Sequence, residues 1–456
     1  MRDRGGERER DRERGRDTGR GRSRLHAGSL MWHSIPDHFP SKMPLFLYLA
    51  LLVLELHCAS SIRSEGKVIT CNSPPKNVTF YKMSSINADF AFNLYRRFTV
   101  ETPDRNIFFS PVSISAALAM LSFGACYSTQ IQILESLGFN LTDTPMAEIQ
   151  QGFQHLICSL NIPKKELELQ MGNTLFIGKQ LKPLAQFLDD VKSLYATEVF
   201  STDFSNVSAA QQLINSHVEK QTKGEVVGLI QDLKPNTIMV LVNYIHFKAQ
   251  WANPFDPSKT EEGFSFSVHK TTTVKVPMMH QMEQYYHLVD TELNCTVLQM
   301  DYSKNALALF VLPKEGQIEW VEGAMSSKTL KKWNRLLQKG WIDLFVPKFS
   351  ISATYDLGAT ILKMGIQDAF ADNANFHGLM ENNGLKFSKA AHKAVLHIGE
   401  KGTEALLVPE VRFLDQPEIT LLHPIIQFDR SFLLLILEKS TRSILFLGKV
   451  VNPTEV

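Results

Sequence analysis

Two stretches constrain the fold of this chain more than any others: "IMVLVNYIHF" at residues 238–247 and "ALALFVLP" at 306–313. Each is apolar almost without interruption, so a strand built from it has no wet face and needs covering on both sides. "ELELQM" differs, because Leu167, Leu169 and Met171 alternate with polar residues, the pattern of a strand buried on one face. Helical spacing comes earlier in the chain. In "SSINADFAFNLYRRF", Ile86, Phe90, Leu94 and Phe98 recur every fourth residue along one helical face. "NIFFSPVSISAALAMLSFGA" turns from a short strand into a helix, with Ser110 suited to the N-cap and Pro111 to the first helical position, where its missing N–H costs nothing. Leu184, Phe187, Leu188, Val191 and Leu194 mark another helix. Helices mostly early and long strands mostly late predict an α+β fold without regular βαβ alternation.

Composition bounds the rest. The 456 residues are 44% hydrophobic and 21% charged, ordinary values for a globular chain. Residues 1–42 form a low-complexity, Arg-rich extension that has nothing to pack and is expected to be disordered or not native. Residues 43–59 read as a secretory signal peptide: an apolar run from Pro44 to Leu54, then Cys58, Ala59 and Ser60. An N-terminal segment, 60–79, leads to one folded domain, 80–456. No later run approaches the roughly 20 uninterrupted apolar residues that a membrane helix needs, so no membrane anchor is expected. The first 42 residues hold 11 basic and 7 acidic residues, leaving 37 against 40 beyond them. That mild acidity gives no case for a nucleic-acid partner.

Past the signal peptide stand Cys71, Cys126, Cys158 and Cys295, with no C-x-x-C pair to suggest zinc or redox chemistry. A disulfide among them and buried free thiols both remain open. Sequons at Asn77, Asn140, Asn206 and Asn294, together with the signal peptide, favour a secreted glycoprotein. Enzyme signatures are missing: there is no H-E-x-x-H, no G-x-S-x-G and no strand-linked G-x-G-x-x-G. The expectation is therefore no enzyme, no cofactor and no metal. His280 and His287 in "MMHQMEQYYHL" read as packed surface histidines.

Four separated motifs, in order, carry a family resemblance: "NIFFSPVSISAALAML", "VLVNYIHFKAQWANPF", "HKAVLHIGEKGTEA" and "FDRSFLLLILEKSTRSILFLGKVVNP". Across residues 80 to 456 the chain resembles the serpins. The resemblance implies helices around three β-sheets, with an exposed reactive-centre loop from about Glu400 to Thr420. Serpin loop insertion is itself a recognised case of strand addition. The hinge Gly402, Thr403, Glu404 and Ala405 begins as the inhibitory pattern does, but Leu406, Leu407, Val408 and Pro409 then stand where inhibitors carry small residues. Pro409 removes a ladder donor and disfavours the centre of a sheet. The position offered to a protease would be Gln416–Pro417, a poor substrate bond. A non-inhibitory protein with shallow hinge movement is the expectation.

"SSINADFAFNLYRRF", "SSKTLKKWNRLLQKGW" and "RSILFLGKVVNP" are similar to segments of a hormone-carrying branch of the family. This implies a monomeric plasma carrier of thyroxine and related iodothyronines. Leu330, Asn334 and Leu337 fall at i, i+4 and i+7 on one helical face, with Ser327 and Lys331 adjoining. By resemblance Asn334 contacts the hormone, Ser327, Leu330, Lys331 and Leu337 line the slot, and Ser84 contributes from the first helix. The cationic end is Lys439 and Arg442 of "LEKSTRS". Lys439 departs from the arginine usual there, keeping the charge and losing the flat stacking surface. The alternatives are a corticosteroid carrier, for which a cationic end has no use, and a serine protease inhibitor, which needs an unimpaired loop.

Overall fold

A computed structural model describes residues 77–161, 167–371, 374–380, 388–403 and 423–455, with side chains from residue 82 onward. These belong to one compact unit, Leu52–Val456. The extension, the signal peptide, Cys71, the hinge residues Glu404 and Ala405, Pro409 and the Gln416–Pro417 bond lie outside the described residues.

The described helices are α1 (Asn77–Glu101), α2 (Pro111–Gly124), α3 (Tyr127–Ser136), α4 (Met146–Asn161), α5 (Ala185–Tyr195), α6 (Val207–Gln221), α7 (Ile318–Ala324), α8 (Ser327–Leu336) and α9 (Leu357–Lys363). In α1, Phe90, Leu94 and Phe98 are buried as their spacing predicts. Helix α2 starts as expected: the Ser110 side chain accepts from the Ser113 N–H, and Pro111 opens the first turn.

The strands are β1 (Ile107–Phe109), β2 (Leu167–Gly178), β3 (Glu198–Thr202), β4 (Met239–Gln250), β5 (Glu261–His269), β6 (Thr272–Asp290), β7 (Cys295–Asp301), β8 (Ala306–Pro313), β9 (Gln338–Pro347), β10 (Phe349–Asp356), β11 (Lys389–Gly399), β12 (Gly402–Thr403), β13 (Ile425–Gln427), β14 (Phe432–Glu438) and β15 (Ser443–Val450). They bond into two networks. One has six strands in the order β10-β11-β12-β4-β2-β3. The other runs β1-β15-β14-β8-β7-β6-β9-β13, with β5 also on β6. The 19-residue strand β6 takes β5 at its beginning and β7 at its end, so two of the expected three sheets share hydrogen bonds through it. The apolar runs lie where their composition demands. Strand β4 is buried from Met239 to Phe247, and β8 at seven of its eight positions.

The six-stranded network changes character along β4. Residues 240–244 pair in parallel with 389–393 of β11. Higher up, Ala249 and Gln250 pair instead with Thr403 and Gly402 of β12, which also bonds Ile398 and Gly399 of β11. Beneath the paired half lies a buried polar knot. The His392 Nε2 accepts the Ser110 N–H at 3.0 Å, so Nδ1 carries the proton and donates to Asn243 Oδ1 at 2.7 Å. Asn243 Oδ1 also accepts from Ser113 Oγ, and its Nδ2 donates to Ser113 O and Asn173 Oδ1. Burial pushes His392 down to about 3.

Cys126 and Cys158 are disulfide-bonded, and Cys295 is a buried free thiol that burial pushes up to about 12. Asn140 and Asn206 are exposed and Asn294 half-buried. Among the described residues no helix is long and apolar enough to cross a membrane.

Candidate functional site

A cavity of about 580 Å³ lies between α1, α8 and the nine-stranded sheet. Its floor follows from register. Asp301 of β7 stands opposite Leu307 of β8, which stands opposite Leu437 of β14, and Tyr286 of β6 faces Gln299 of β7. These five side chains form one side of the cavity.

Helix α8 forms the roof. Its N-cap Ser326 accepts from the Thr329 N–H at 3.2 Å. Trp333, wholly buried, donates to Asp290 Oδ2 at 2.8 Å, and Lys332 reaches the same carboxylate at 2.9 Å. Burial alone would raise Asp290, but the bonds from Trp333 and Lys332 hold it below the usual carboxylate range. With this edge of α8 fixed to the sheet, Leu330, Lys331 and Asn334 line the cavity.

All eight residues selected from the sequence reach this one cavity: Ser84, Ser327, Leu330, Lys331, Asn334, Leu337, Lys439 and Arg442. Two differ from expectation in detail. Leu337 is the C-cap of α8, with φ −57° and ψ 130°, so it reaches the cavity as the chain turns towards β9 rather than from a helical face. Ser327 has its hydroxyl committed, with its N–H and Oγ donating to the two Asp89 oxygens at 2.8 and 2.9 Å.

The mouth is held by the turn between β14 and β15. Glu438, fully buried, accepts from the Thr441 N–H at 2.7 Å, from Thr441 Oγ1, from Ser440 Oγ and from Asn305 Nδ2. Arg442 adopts φ +55°, a left-handed backbone uncommon for a residue with a side chain. The Ser84 hydroxyl donates to the Arg442 carbonyl at 2.9 Å and ties this turn to α1. Lys331 donates to Ser85 Oγ at 2.7 Å, and Lys439 pairs with Asp301 at 2.8 Å. The result is a slot with leucine walls and three cationic side chains, Lys331, Lys439 and Arg442, along its edge. Such a slot suits an elongated apolar molecule with an anionic end.

His280 and His287 do not line this cavity. His280 bonds Asp343 Oδ1 at 2.6 Å and stacks on Phe345. No group of three or more potential metal ligands occurs among the described residues.

Comparison with known proteins places this geometry in a family. The profile described as "Serpin (serine protease inhibitor)" matches residues 85–453. The chain is a serpin. It is 85% identical over 413 residues to thyroxine-binding globulin of Sus scrofa, covering 91% of this chain and all of that protein. A solved complex of thyroxine-binding globulin with thyroxine superposes with a TM-score of 0.78 at 84% identity, over 82% of this serpin and all of the other chain. The reactive-loop-cleaved human thyroxine-binding globulin superposes with a TM-score of 0.70 at 86% identity, over 71% and 96% of the two chains.

Sequence reasoning missed the floor of this serpin's cavity: Tyr286, Gln299, Asp301, Leu307 and Leu437. A signal exists in "TVLQMD", where Gln299 and Asp301 are two apart in a mostly apolar strand and so share a face. It also missed the connection from the hinge. Thr403, buried, meets Tyr302 OH through its Oγ1 at 2.9 Å, and Tyr302 stacks on Trp251 with ring centroids 4.4 Å apart. Tyr302 directly follows Asp301, and the Asn305 carbonyl accepts the Lys439 N–H at 2.8 Å. The turn 302–305 therefore touches the inserted hinge on one side and, on the other, adjoins Asp301 and Lys439, which line the cavity.

Proposed function

We propose that this serpin is a secreted, non-inhibitory plasma carrier, not an enzyme, that holds thyroxine and related iodothyronines in the cavity between α1, α8 and the sheet. The observation that carries this reading is the convergence of eight residues, drawn from α1, α8 and its C-cap, and the β14–β15 turn, on one cavity of leucine walls and cationic edge. Two iodinated rings fill an apolar slot, and the amino-acid head needs charged partners at its end. Lys439, Arg442 and Lys331 supply them; a neutral steroid has no charge to offer these cations. Thyroxine-binding globulins at more than 80% identity strengthen the assignment.

Release is coupled to the hinge. Gly402 and Thr403 already occupy a rung between β4 and β11, and the Thr403–Tyr302 bond transmits their position to the turn that carries Asp301 and Asn305. Further hinge insertion after loop cleavage shifts this turn and, through the Asp301–Lys439 pair, the mouth of the cavity. Differential affinity between two hinge positions is all that such a coupling requires.

The test is titration of the purified protein with thyroxine and cortisol, followed by tryptophan fluorescence, beside incubation with serine proteases analysed on denaturing gels. Saturable quenching by thyroxine at one site per chain, with none by cortisol and no stable protease complex, is expected. Absence of saturable thyroxine binding would refute the carrier function.

A further inference from the structure

We infer that Asp301 is a specificity residue: it receives the α-ammonium of the ligand's amino-acid head and makes the cavity select amino acids over deaminated acids. The inference rests on the carrier reading above. Lys331, Lys439 and Arg442 edge the cavity, and together they attract any carboxylate. The thyroxine head is a zwitterion, and the same cations repel its ammonium. Without a carboxylate close by, a site so furnished would favour the deaminated analogue.

Two carboxylates line the cavity, and their environments differ. Glu438 is fully buried, and its two oxygens are taken by Thr441, Ser440 and Asn305, so it serves the turn. Asp301 is about one-third exposed and uses a single oxygen: Oδ1 accepts from Lys439 Nζ at 2.8 Å and from Gln299 Nε2 at 3.0 Å. Its Oδ2 is left for a donor from the cavity. A Lys–Asp pair set beside a zwitterion allows head-to-tail pairing of all four charges, with the ligand carboxylate at the cation and the ligand ammonium at Asp301. Charge-assisted hydrogen bonds of this kind are the stronger class. Position adds to the case, because Asp301 immediately precedes Tyr302, the residue that touches the hinge.

The experiment compares Asp301→Asn with the unsubstituted protein, using thyroxine and its deaminated acetic-acid analogue, both measured as dissociation constants. The unsubstituted protein is expected to prefer thyroxine. Asp301→Asn is expected to weaken thyroxine about tenfold while changing the analogue by less than about twofold. Equal losses for both ligands would mean that Asp301 only positions Lys439, and would overturn the inference, as would no loss for either. Lys439→Met gives the complementary readout, since loss of the cation weakens both ligands. If Asp301→Asn does not fold, Asp301→Ser is measured in its place with the same two ligands. Failure of the unsubstituted protein to bind either ligand would refute the carrier function itself, a different result from any of these.

Discussion

The two halves of strand β4 share β2 as a partner on one side and behave differently on the other. In the lower half, residues 240–244 are hydrogen-bonded directly to β11, over a knot in which Asn243, His392, Ser110 and Ser113 satisfy one another. In the upper half, β12 stands between the strands at Ala249 and Gln250, and residues 245–248 have no β11 partner in the described structure. A buried polar network that is fully satisfied rigidifies. An unzipped edge accepts another strand. The contrast teaches that insertion here is bounded from below by side-chain chemistry. Movement confined to the upper half is the movement that reaches Tyr302 and the cavity.

The comparison breaks most visibly if the knot is removed. Asn243→Ala leaves Ser113, Asn173 and His392 with buried groups unpaired, and should destabilise the fold by about 3–5 kcal/mol, read by denaturant unfolding. A stability loss below 1 kcal/mol would show that the lower half is not locked by these bonds.

Acid should loosen the same half. The folded state holds His392 near 3, below its unfolded value, so the stability this group contributes is complete above about 6.5 and declines as pH falls towards 3. By pH 5 the loss from this one group should reach about 2 kcal/mol. Protonating Nε2 sets two N–H groups against each other at Ser110, so the unfolding midpoint of a His392→Gln variant should be less pH-dependent over this range. An unchanged dependence would assign it to other groups.

The upper half is probed through its glycine. Gly402 has φ +136°, and a Cβ there would lie 2.2 Å from the Ala249 carbonyl oxygen. Gly402→Ala should drive the hinge out of the sheet, lower stability by about 1–3 kcal/mol and slow thyroxine dissociation. Faster dissociation would reverse the assigned direction of coupling. The smallest expected effect is that of Tyr302→Phe, which removes one hydroxyl and about 1 kcal/mol. It should nonetheless narrow the difference in thyroxine affinity between intact and loop-cleaved protein.

Much of this was legible in the sequence, for identifiable reasons. Apolar continuity in β4 and β8, four-residue spacing in α1 and the Ser110–Pro111 cap are local signals, and local physics decides them. The helical and turn residues of the cavity came from resemblance to a family, and their convergence is visible only in three dimensions. The floor was not read, because Asp301, Leu307 and Leu437 meet through the pairing of three strands, two of them more than a hundred residues apart. The i, i+4, i+7 spacing carries the helix to Leu337, but periodicity does not say where a helix stops, and Gln338 already belongs to β9. The bond between Thr403 and Tyr302 spans 101 residues and has no signature at either end.

The central claim is that hinge position sets hormone affinity. It is tested most directly by measuring the thyroxine dissociation constant of the same preparation before and after proteolytic cleavage of the reactive loop. The account predicts several-fold weaker binding after cleavage, with faster release. Identical constants in the two states would contradict it.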